Sequence, residues 1–380
     1  ARIYFALFYL PLMASFFISF LVGYFFLLSA CFFLINTSTF ILPLTNYTFF
    51  PRFNIQYYRN KNKYVIMGRK MNNTYNTFFV VNPASAHGKT KKNWLRLENY
   101  LRQNDLDFAY KFTAKPMEAI NITREALYNG YSRIVSVGGD GTLNEVLNGF
   151  YDEEYRKINT ESFLSHIPMG TGGDFARMFN ISADLPHVYN IMTNYQEYPI
   201  DIVKGTYTNF AGNRESRFLI NVADVGLGCQ TVYTVNNRSK ILGGFLSFLT
   251  SALISLLTYE SQLVTVKIDD NELYSGRATM VVVSNGRYFG GGMKIAPEAL
   301  LNDGLLDITV VNDLSKLDII QNVPGIYQGK HINHPAISIF KGKKVELSSP
   351  EELLVEFDGE TPGMGSIILE VMPNELKLLL

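Results

Sequence analysis

The chain has 380 residues, of which 47% are hydrophobic, enough for two folded domains and an additional segment. Its 34 basic and 34 acidic residues cancel, so no net positive field favours a nucleic acid, which is not an expected partner. The cysteines, Cys31 and Cys229, are too few for a disulfide framework or a thiolate zinc site, which suits a reducing compartment.

The first 70 residues differ in composition from the rest of the chain. No charged residue occurs between Arg2 and Arg52, and residues 3–35 are almost continuously apolar, which exceeds the roughly 20 residues that a membrane helix needs. If residues 1–50 are native they predict a membrane anchor, and the basic residues that follow would leave the downstream chain in the cytoplasm. The alternative is that residues 1–70 are translated upstream sequence, since Met71 stands just before the first organised strand.

An apolar strand beginning at Thr77 runs into a basic loop that nearly matches a phosphate-binding loop. The pattern GxxxxGK[ST] fails because its first glycine is Pro83, which fixes φ and has no N–H to offer a phosphate. Three side chains at the start of the next helix are candidate phosphate contacts, with a solvated helix start as the alternative: Lys89, Lys91 and Lys92.

Repeated strands and helices follow, which is the alternation that builds a parallel sheet. The first predicted helix contains Leu95, Leu97 and Leu101. The strand FAYKFTA and a helix over residues 116–128 come next.

The stretch RIVSVGGDGTLNEVLNGF, residues 133–150, predicts a strand, a glycine turn and a helix. Glycine can take left-handed dihedrals, and a helix start offers unpaired N–H donors, so the turn suits a phosphate. Asp140 would repel a phosphate unless a divalent cation stands between them, which indicates a metal-nucleotide complex. A tight turn with aspartate at a capping position is the alternative interpretation.

A second glycine turn, Gly170 to Asp174, also opens a helix and also carries one carboxylate. Loops of this kind emerge at the carboxyl edge of a parallel sheet, where ligands bind. Two such turns predict one shared site.

The sequence changes character after residue 200. Short strands follow one another (YPIDIVKG, RFLINVADVG, LVTVKIDD, ATMVVVSNG, LLDITVV, KKVELSS and ELLVEFDG), which predicts an antiparallel β-sandwich. The apolar stretch 241–259 interrupts them and is interpreted as a buried helix or, alternatively, a surface that meets lipid. The expected fold is therefore a Rossmann-like parallel-sheet nucleotide domain over residues 71–200 and an antiparallel β-sandwich domain over residues 201–380, whose last residues could return to the first domain.

From about Thr77 to the end, roughly four fifths of the chain, the sequence resembles the diacylglycerol kinase catalytic-domain family, especially its soluble bacterial lipid kinases. Four motifs occur in the family's order: GGDGTLNEV, PMGTGGDFAR, SNGRYFGGGMKIAPEALLNDGLLDI and EFDGE. The resemblance implies transfer of the γ-phosphate of ATP to a lipid hydroxyl, with diacylglycerol as the leading acceptor and a sphingoid base as an alternative. It also implies action at the inner face of the cytoplasmic membrane, and it leaves a homodimer open.

The resemblance carries site residues over position by position. The positions that match nucleotide contacts are Thr113, Gly139, Asp140, Gly141, Thr142, Leu143, Asn144, Glu145 and Thr171. Glu360 matches the proposed proton acceptor, with an ordinary hairpin turn as the alternative interpretation of its DGE motif. Leu300, Asp303 and Leu305 match a structural magnesium site made of one carboxylate and two backbone carbonyls.

The sequence departs from the family pattern in two places. Gly173 stands where the second loop usually has asparagine, and Ala86 and His87 replace a small glycine in the first loop. The Gly173 departure is the one feature of the sequence that supports an alternative, a nucleotide- or membrane-binding module without catalysis. Phosphoryl transfer mainly needs positioning and charge neutralisation, so we expect catalytic roles for Asp140 and Asp174 as holders of Mg²⁺ and for Glu360 as the base.

Overall fold

The computed structural model describes residues 76–237 and 254–380. The chain divides into two compact units, Ala1–Ile66 and Met67–Leu380. The predictions for the apolar N-terminus and for residues 241–253 therefore lie outside the described residues. Residues 254–258, the end of the second apolar stretch, are helical. In the part of the chain that is described, no helix is both long enough and apolar enough to cross a membrane.

The first part of the second unit is an α/β domain built on four parallel strands. Their bounds are β1 (Thr77–Val81), β2 (Ala109–Phe112), β3 (Arg133–Gly138) and β4 (Phe163–Pro168), and they lie side by side in the order β2-β1-β3-β4. The helices between and after them are α1 (Lys89–Gln103), α2 (Glu118–Tyr128), α3 (Asp140–Asn148), α4 (Asp174–Phe179) and α5 (Leu185–Thr193). Because the strands are parallel, the loops that follow them meet at one edge of the sheet.

Helix α1 is present where the sequence predicted it, and it buries one face. Trp94, Leu97 and Leu101 are fully buried, whereas Leu95 is 46% exposed. The spacing of three and then four residues keeps Trp94 on the same face as the two buried leucines, while Leu95 points away from it.

The second part is rich in antiparallel strands. They are β5 (Glu197–Asn209), β6 (Arg214–Leu219), β7 (Val222–Gly226), β8 (Gln262–Ile268), β9 (Asn271–Ser284), β10 (Leu306–Asn312), β11 (Ile337–Gly342), β12 (Lys344–Ser348), β13 (Leu354–Phe357) and β14 (Glu360–Leu379). Two helices accompany them, α6 (Leu227–Asn237) and α7 (Lys316–Tyr327). The predicted α/β part and antiparallel β-rich part are thus both present. The stretch RFLINVADVG forms two strands, β6 and β7, instead of one.

The long last strand joins the two parts. Strand β14 pairs antiparallel with β5 along most of its length, and Lys377 and Leu378 pair in parallel with Phe163 and Leu164 of β4. The end of the chain therefore returns to the α/β domain, and one hydrogen-bonded sheet runs through both parts.

Candidate active site

The two glycine turns lie against each other at the carboxyl edge of the parallel strands. The N–H of Met169 donates to the carbonyl of Gly138 at 2.7 Å. A Cβ atom added to Gly170 would stand only 2.4 Å from the Cα of Gly139, which is too close for two carbon atoms that are not bonded. Glycine at position 170 is therefore required by the close approach of two backbones.

The loop after β1 lies against both glycine turns, and we call the space bordered by these three segments the cleft. Asn82 follows the strand, and its Nδ2 donates to Oγ1 of Thr142 at 2.9 Å. The hydroxyls of Ser85 and Thr90 both donate to the carbonyl of Met169, at 3.1 and 2.6 Å. The first loop is thereby tied to both glycine turns, although the phosphate-loop pattern fails in it.

The departures from the family pattern occur where the backbone is left-handed. Ala86 and His87 have φ values of 50° and 55°, and Gly173 has φ of 72°. Glycine and asparagine both tolerate this region, whereas alanine does so at an energetic cost. Glycine in place of the family's asparagine at position 173 therefore keeps the left-handed backbone conformation and removes only the side-chain amide.

Asp140 holds the second glycine turn in place. Its Oδ2 accepts N–H groups of Gly173 and Asp174 at 2.8 and 3.2 Å, and its Oδ1 accepts the N–H of Phe175 at 3.2 Å. These are the unpaired donors at the start of α4, so Asp140 caps a helix that is not its own. Both oxygens of Asp140 therefore already accept hydrogen bonds, and its expected role as a holder of Mg²⁺ stays a prediction.

Asp174 is the more available of the two carboxylates. Its Oδ2 accepts the N–H of Gly291 at 2.8 Å, and Nε of Arg177 lies 3.6 Å from Oδ1. Oδ1 is buried and has no hydrogen-bond partner within the described residues. Burial raises the pKa of Asp174, and the charge of Asp140 adds to the effect. Such an oxygen is suited to receive a cation.

The DGE turn between β13 and β14 brings Glu360 over the first glycine turn. Oε1 of Glu360 is 3.9 Å from the point where a Cβ of Gly141 would stand, and the Glu360 side chain is exposed. Glu360 is therefore placed where a bound group could meet both the glycine turn and a free carboxylate.

Asp358 anchors this turn to the rest of the fold. Its carboxylate accepts the N–H groups of Ile220, Asn221 and Val222 at 2.9–3.0 Å and Nδ2 of Asn144 at 2.8 Å. Burial raises the pKa of Asp358, although these hydrogen bonds act in the opposite direction. The sequence singled out the DGE motif for Glu360 and gave no sign that its aspartate joins both parts of the protein.

The predicted nucleotide contacts fall into two groups. The exposed or partly exposed positions on the cleft are Thr113, Gly139, Asp140, Gly141, Glu145 and Thr171. The buried positions are Thr142, Leu143 and Asn144. The side chain of Asn144 donates to the carbonyl of Phe218 and accepts from Arg217. Asn144 therefore has a structural role, and its expected nucleotide contact stays a prediction.

Glu145 faces the cleft from α3. Its Oε2 accepts the N–H of Ala119 at 3.2 Å, which ties α3 to the start of α2. Burial raises the pKa of Glu145, and the charge of Glu360 also raises it. The two carboxylates therefore share one electrostatic environment near Gly141.

The predicted metal turn, which contains Asp303, lies on a different loop from the two glycine turns. Oδ1 of Asp303 accepts the N–H of Leu305 at 3.0 Å. The buried Asp201 supports the turn through the N–H of Gly304 at 2.7 Å and the N–H of Asn374 at 2.7 Å. Over residues 76–237 and 254–380, no cluster of three or more His, Cys, Asp or Glu side chains could hold a metal. The predicted site has one carboxylate and the backbone carbonyls of Leu300 and Leu305. It therefore has too few such side chains to count as a cluster of this kind.

A matched pair of variants tests the Asp303 turn. We expect Mg²⁺ to raise the Tm of the wild type and to leave the Tm of Asp303→Asn unchanged, because the amide keeps an acceptor for the Leu305 N–H but loses the charge that a cation needs. Asp303→Ala should lose both and have the lowest Tm. Thermal unfolding with and without Mg²⁺ measures this, and a wild type indifferent to Mg²⁺ would refute the site.

Two buried carboxylates lie beside the DGE turn. Asp224 of β7 and Glu356 of β13 are directly opposite in an antiparallel pair and are 1% and 5% exposed. Oε1 of Glu356 accepts the N–H of Gly359, and Oδ1 of Asp224 has no hydrogen-bond partner among the described residues. Burial raises the pKa of Asp224 to about 8, and burial together with Asp224 raises the pKa of Glu356 well above its usual value.

This pair predicts a stability that falls as pH rises. An aspartate has a pKa of about 4 in the unfolded chain, whereas the pKa of Asp224 in the folded protein is about 8. Asp224 therefore binds its proton more tightly in the folded state. Its stabilising effect is present below about pH 4 and is lost between the two values, at roughly 1.4 kcal/mol per pH unit for one proton. Asp224→Asn should flatten this slope in urea unfolding measured from pH 5 to 8, and an equal slope in both proteins would contradict the assignment.

Comparison with known proteins agrees with this arrangement. Residues 76–205 match the sequence profile of the diacylglycerol kinase catalytic domain, and residues 222–380 match that of the YegS C-terminal NAD kinase beta sandwich-like domain. Residues 206–221, between the two matched ranges, lie where the α/β part gives way to antiparallel strands.

Individual relatives match over most of their length. The chain is 27% identical over 286 residues to a diacylglycerol kinase of Bacillus subtilis, covering 75% of this chain and 89% of the relative. It is 27% identical over 281 residues to a YegS-like lipid kinase of Klebsiella pneumoniae, covering 73% and 88%. The solved structure of a diacylglycerol kinase from Bacillus anthracis shares the fold, with a TM-score of 0.63 and 24% identity over 80% of this chain and 96% of that one. Residues 76–205 thus match a diacylglycerol kinase catalytic domain, and residues 222–380 match the second domain of YegS-like lipid kinases.

Proposed function

We propose that this protein is an ATP-dependent lipid kinase that transfers the γ-phosphate to the hydroxyl of diacylglycerol and forms phosphatidate. One observation carries the proposal: the turns at Gly139 and Gly170 touch, and Glu360 stands over Gly141 beside them. Backbone N–H groups that could meet a phosphate and a carboxylate that could meet a hydroxyl therefore face one cleft. Relatives named as diacylglycerol kinase and as lipid kinase support the substrate class.

The nucleotide would bind along the carboxyl edge of the parallel strands. At Gly141 an added Cβ would meet nothing nearer than Oε1 of Glu360 at 3.9 Å, which leaves room for a phosphate to approach the backbone closely. The exposed lysines at the start of α1, Lys89, Lys91 and Lys92, would supply positive charge. Thr113, which is partly exposed, and Thr171, which is exposed, lie on the same edge of the sheet.

Mg²⁺ fits Asp174 better than Asp140. The Oδ1 atom of Asp174 is buried without a hydrogen-bond partner among the described residues, whereas Asp140 already accepts three N–H groups. When bound, the cation would neutralise negative charge on the phosphates. Asp140 would contribute by holding the second glycine turn at the correct distance from the first.

Glu360 would accept the proton of the attacking hydroxyl. An alcohol is a weak nucleophile at neutral pH, so a positioned carboxylate assists its attack on the γ-phosphorus. The bond from the lipid oxygen to phosphorus forms as the bond from phosphorus to the β–γ bridging oxygen of ATP breaks. ADP leaves, and the proton stays on Glu360 until solvent removes it.

Two alternatives to the proposed kinase predict different results in a phosphate-transfer assay. A binding module without catalysis would bind ATP and transfer nothing, and the absence of asparagine at Gly173 is the feature that favours it. A kinase of a sphingoid base would phosphorylate a different lipid at the same cleft. For the leading proposal we place the protein at the cytoplasmic face of the membrane, where ATP and lipid are both present.

The test is a transfer assay with ATP labelled in its γ-phosphate. Diacylglycerol, monoacylglycerol and a sphingoid base are supplied separately, and labelled lipid is resolved after extraction. We expect label in phosphatidate. Label only in the phosphorylated sphingoid base would replace the proposed acceptor, and ATP binding without label in any lipid would favour the module without catalysis.

A further inference from the structure

Helix α7 exposes an unusual amount of apolar surface. No residue of α7, Lys316–Tyr327, is buried. Leu317 is 55% exposed, Val323 is 38% exposed and Tyr327 is 50% exposed. Exposed apolar side chains are ordinary when scattered, but a contiguous patch marks an interaction surface.

The apolar side chains share one side of the helix. Leu317, Ile320, Pro324 and Tyr327 are separated by three, four and three residues, and Val323 adjoins Ile320 and Tyr327 on the same side. We call these five residues the α7 face. A soluble helix normally turns such a stripe toward the core, so its exposure indicates that something else covers it.

The α7 face lies next to the candidate active site. The N–H of Lys294 donates to the carbonyl of Ile326 at 3.1 Å. Three residues earlier on the same loop, the N–H of Gly291 donates to Oδ2 of Asp174 at 2.8 Å. One short loop therefore joins α7 to the carboxylate that is best suited to a cation.

Charge and neighbouring sequence point to a lipid surface. Exposed lysines, Lys316 and Lys330, stand at the first residue of the helix and shortly after its last, and Asp318 is engaged by the hydroxyl of Ser315 in the helix cap. Nζ of Lys316 donates to the carbonyl of Leu257, which is 55% exposed. Leu257 belongs to the stretch 241–259, which contains no charged residue.

We propose that the α7 face is a membrane-docking surface that lies in the interface of a bilayer containing anionic lipid. An apolar stripe flanked by lysines is the composition that binds such interfaces, with the apolar side chains among the acyl chains and the ammonium groups at the headgroups. Docking there brings the loop at Gly291 and Asp174 to the depth of the headgroups. The biological purpose, delivery of a membrane lipid to the cleft, rests on the proposed function, whereas the docking itself does not.

A fluorescent probe at single positions tests the docking in the full chain. Cys31→Ser leaves Cys229, which is fully buried, and Leu317→Cys then allows labelling with an environment-sensitive dye. The matched control is Tyr128→Cys, since Tyr128 is 67% exposed at the end of α2, at the opposite edge of the parallel sheet. Vesicles of phosphatidylcholine and phosphatidylglycerol are added, with and without brominated acyl chains.

We expect the dye at position 317 to shift to shorter wavelength and to be quenched by brominated lipid, while the dye at position 128 changes little. Because the readout belongs to one residue, attachment through another segment cannot imitate it. A dye at position 317 that stays in water on vesicle-bound protein overturns the proposal. A shift that occurs without vesicles as protein concentration rises also overturns it, because the face would then contact a second copy.

A second measurement separates docking from catalysis. Leu317→Glu combined with Val323→Glu should lower transfer to diacylglycerol in vesicles by about tenfold or more and should leave transfer to a short-chain, monomeric diacylglycerol unchanged. Equal transfer to both substrates in both proteins contradicts docking. If the wild type transfers phosphate to neither substrate, the proposed function fails, and the dye measurement alone decides the α7 face. Fluorescence of Trp94, the single and fully buried tryptophan, reports that the variants are folded.

Discussion

Replacing Glu360 by glutamine is expected to lower kcat by about 10²–10⁴ while the affinity for ATP changes little. Glutamine keeps the shape of the side chain and its hydrogen-bonding reach, but it cannot take a proton from the attacking hydroxyl. Glu360 is exposed and is not used by the fold as a hydrogen-bond acceptor among the described residues, so the variant should unfold at the wild-type temperature. Steady-state transfer to the preferred lipid, with ATP binding measured separately, checks this.

Asp140→Asn is the contrasting substitution, because it also removes one negative charge from an isosteric side chain. Its amide group would face N–H donors of Gly173, Asp174 or Phe175, which the carboxylate now accepts. We therefore expect it to lower both the Tm and the binding of Mg·ATP, whereas Glu360→Gln lowers only turnover. Near-normal turnover in Glu360→Gln would show that another group takes the proton.

Asp358→Ala should have the largest effect on stability, lowering the free energy of unfolding by about 3–5 kcal/mol. It leaves three backbone N–H groups and Nδ2 of Asn144 without their acceptor. These donors come from both parts of the protein, so the loss also frees the turn that carries Glu360. Equilibrium unfolding in urea measures the change.

Asp269→Ala is the matched control. Asp269 has the same left-handed φ of 48° as Asp358, and its Oδ1 accepts the N–H groups of Lys343 and Lys344 at 2.9 Å each. Those groups lie at an exposed turn where water can replace the carboxylate, so the destabilisation should be about 1 kcal/mol. Similar losses in the two variants would mean that Asp358 does not join the two parts.

Local sequence patterns predicted the α/β part and its glycine turns well. Strand, turn and helix around Gly139 follow from residues that are adjacent in the chain, as does the turn at Gly170. The role of Asp140 could not be found in this way, because its partners lie 33 to 35 residues away. The bond from Asn144 to Asp358 spans 214 residues, and no local pattern announces it.

The elements that the sequence did not predict carry residues that usually interrupt regular structure. Strand β14 contains Pro362, Gly363, Gly365 and Pro373. It persists because its pairing with β5 shifts register at two places, around Gly365 and around Pro373. Helix α7 contains Pro324 in its interior, which obscures its periodicity. In β14, pairing with a neighbouring strand outweighs local propensity.

A crystal structure of the protein with Mg²⁺ and a non-hydrolysable ATP analogue would test the proposed site. We expect the triphosphate against the backbone of the turns at Gly139 and Gly170, the cation on Oδ1 of Asp174, and the γ-phosphate facing Glu360. A nucleotide bound away from these two turns, or a γ-phosphate directed away from Glu360, would contradict it.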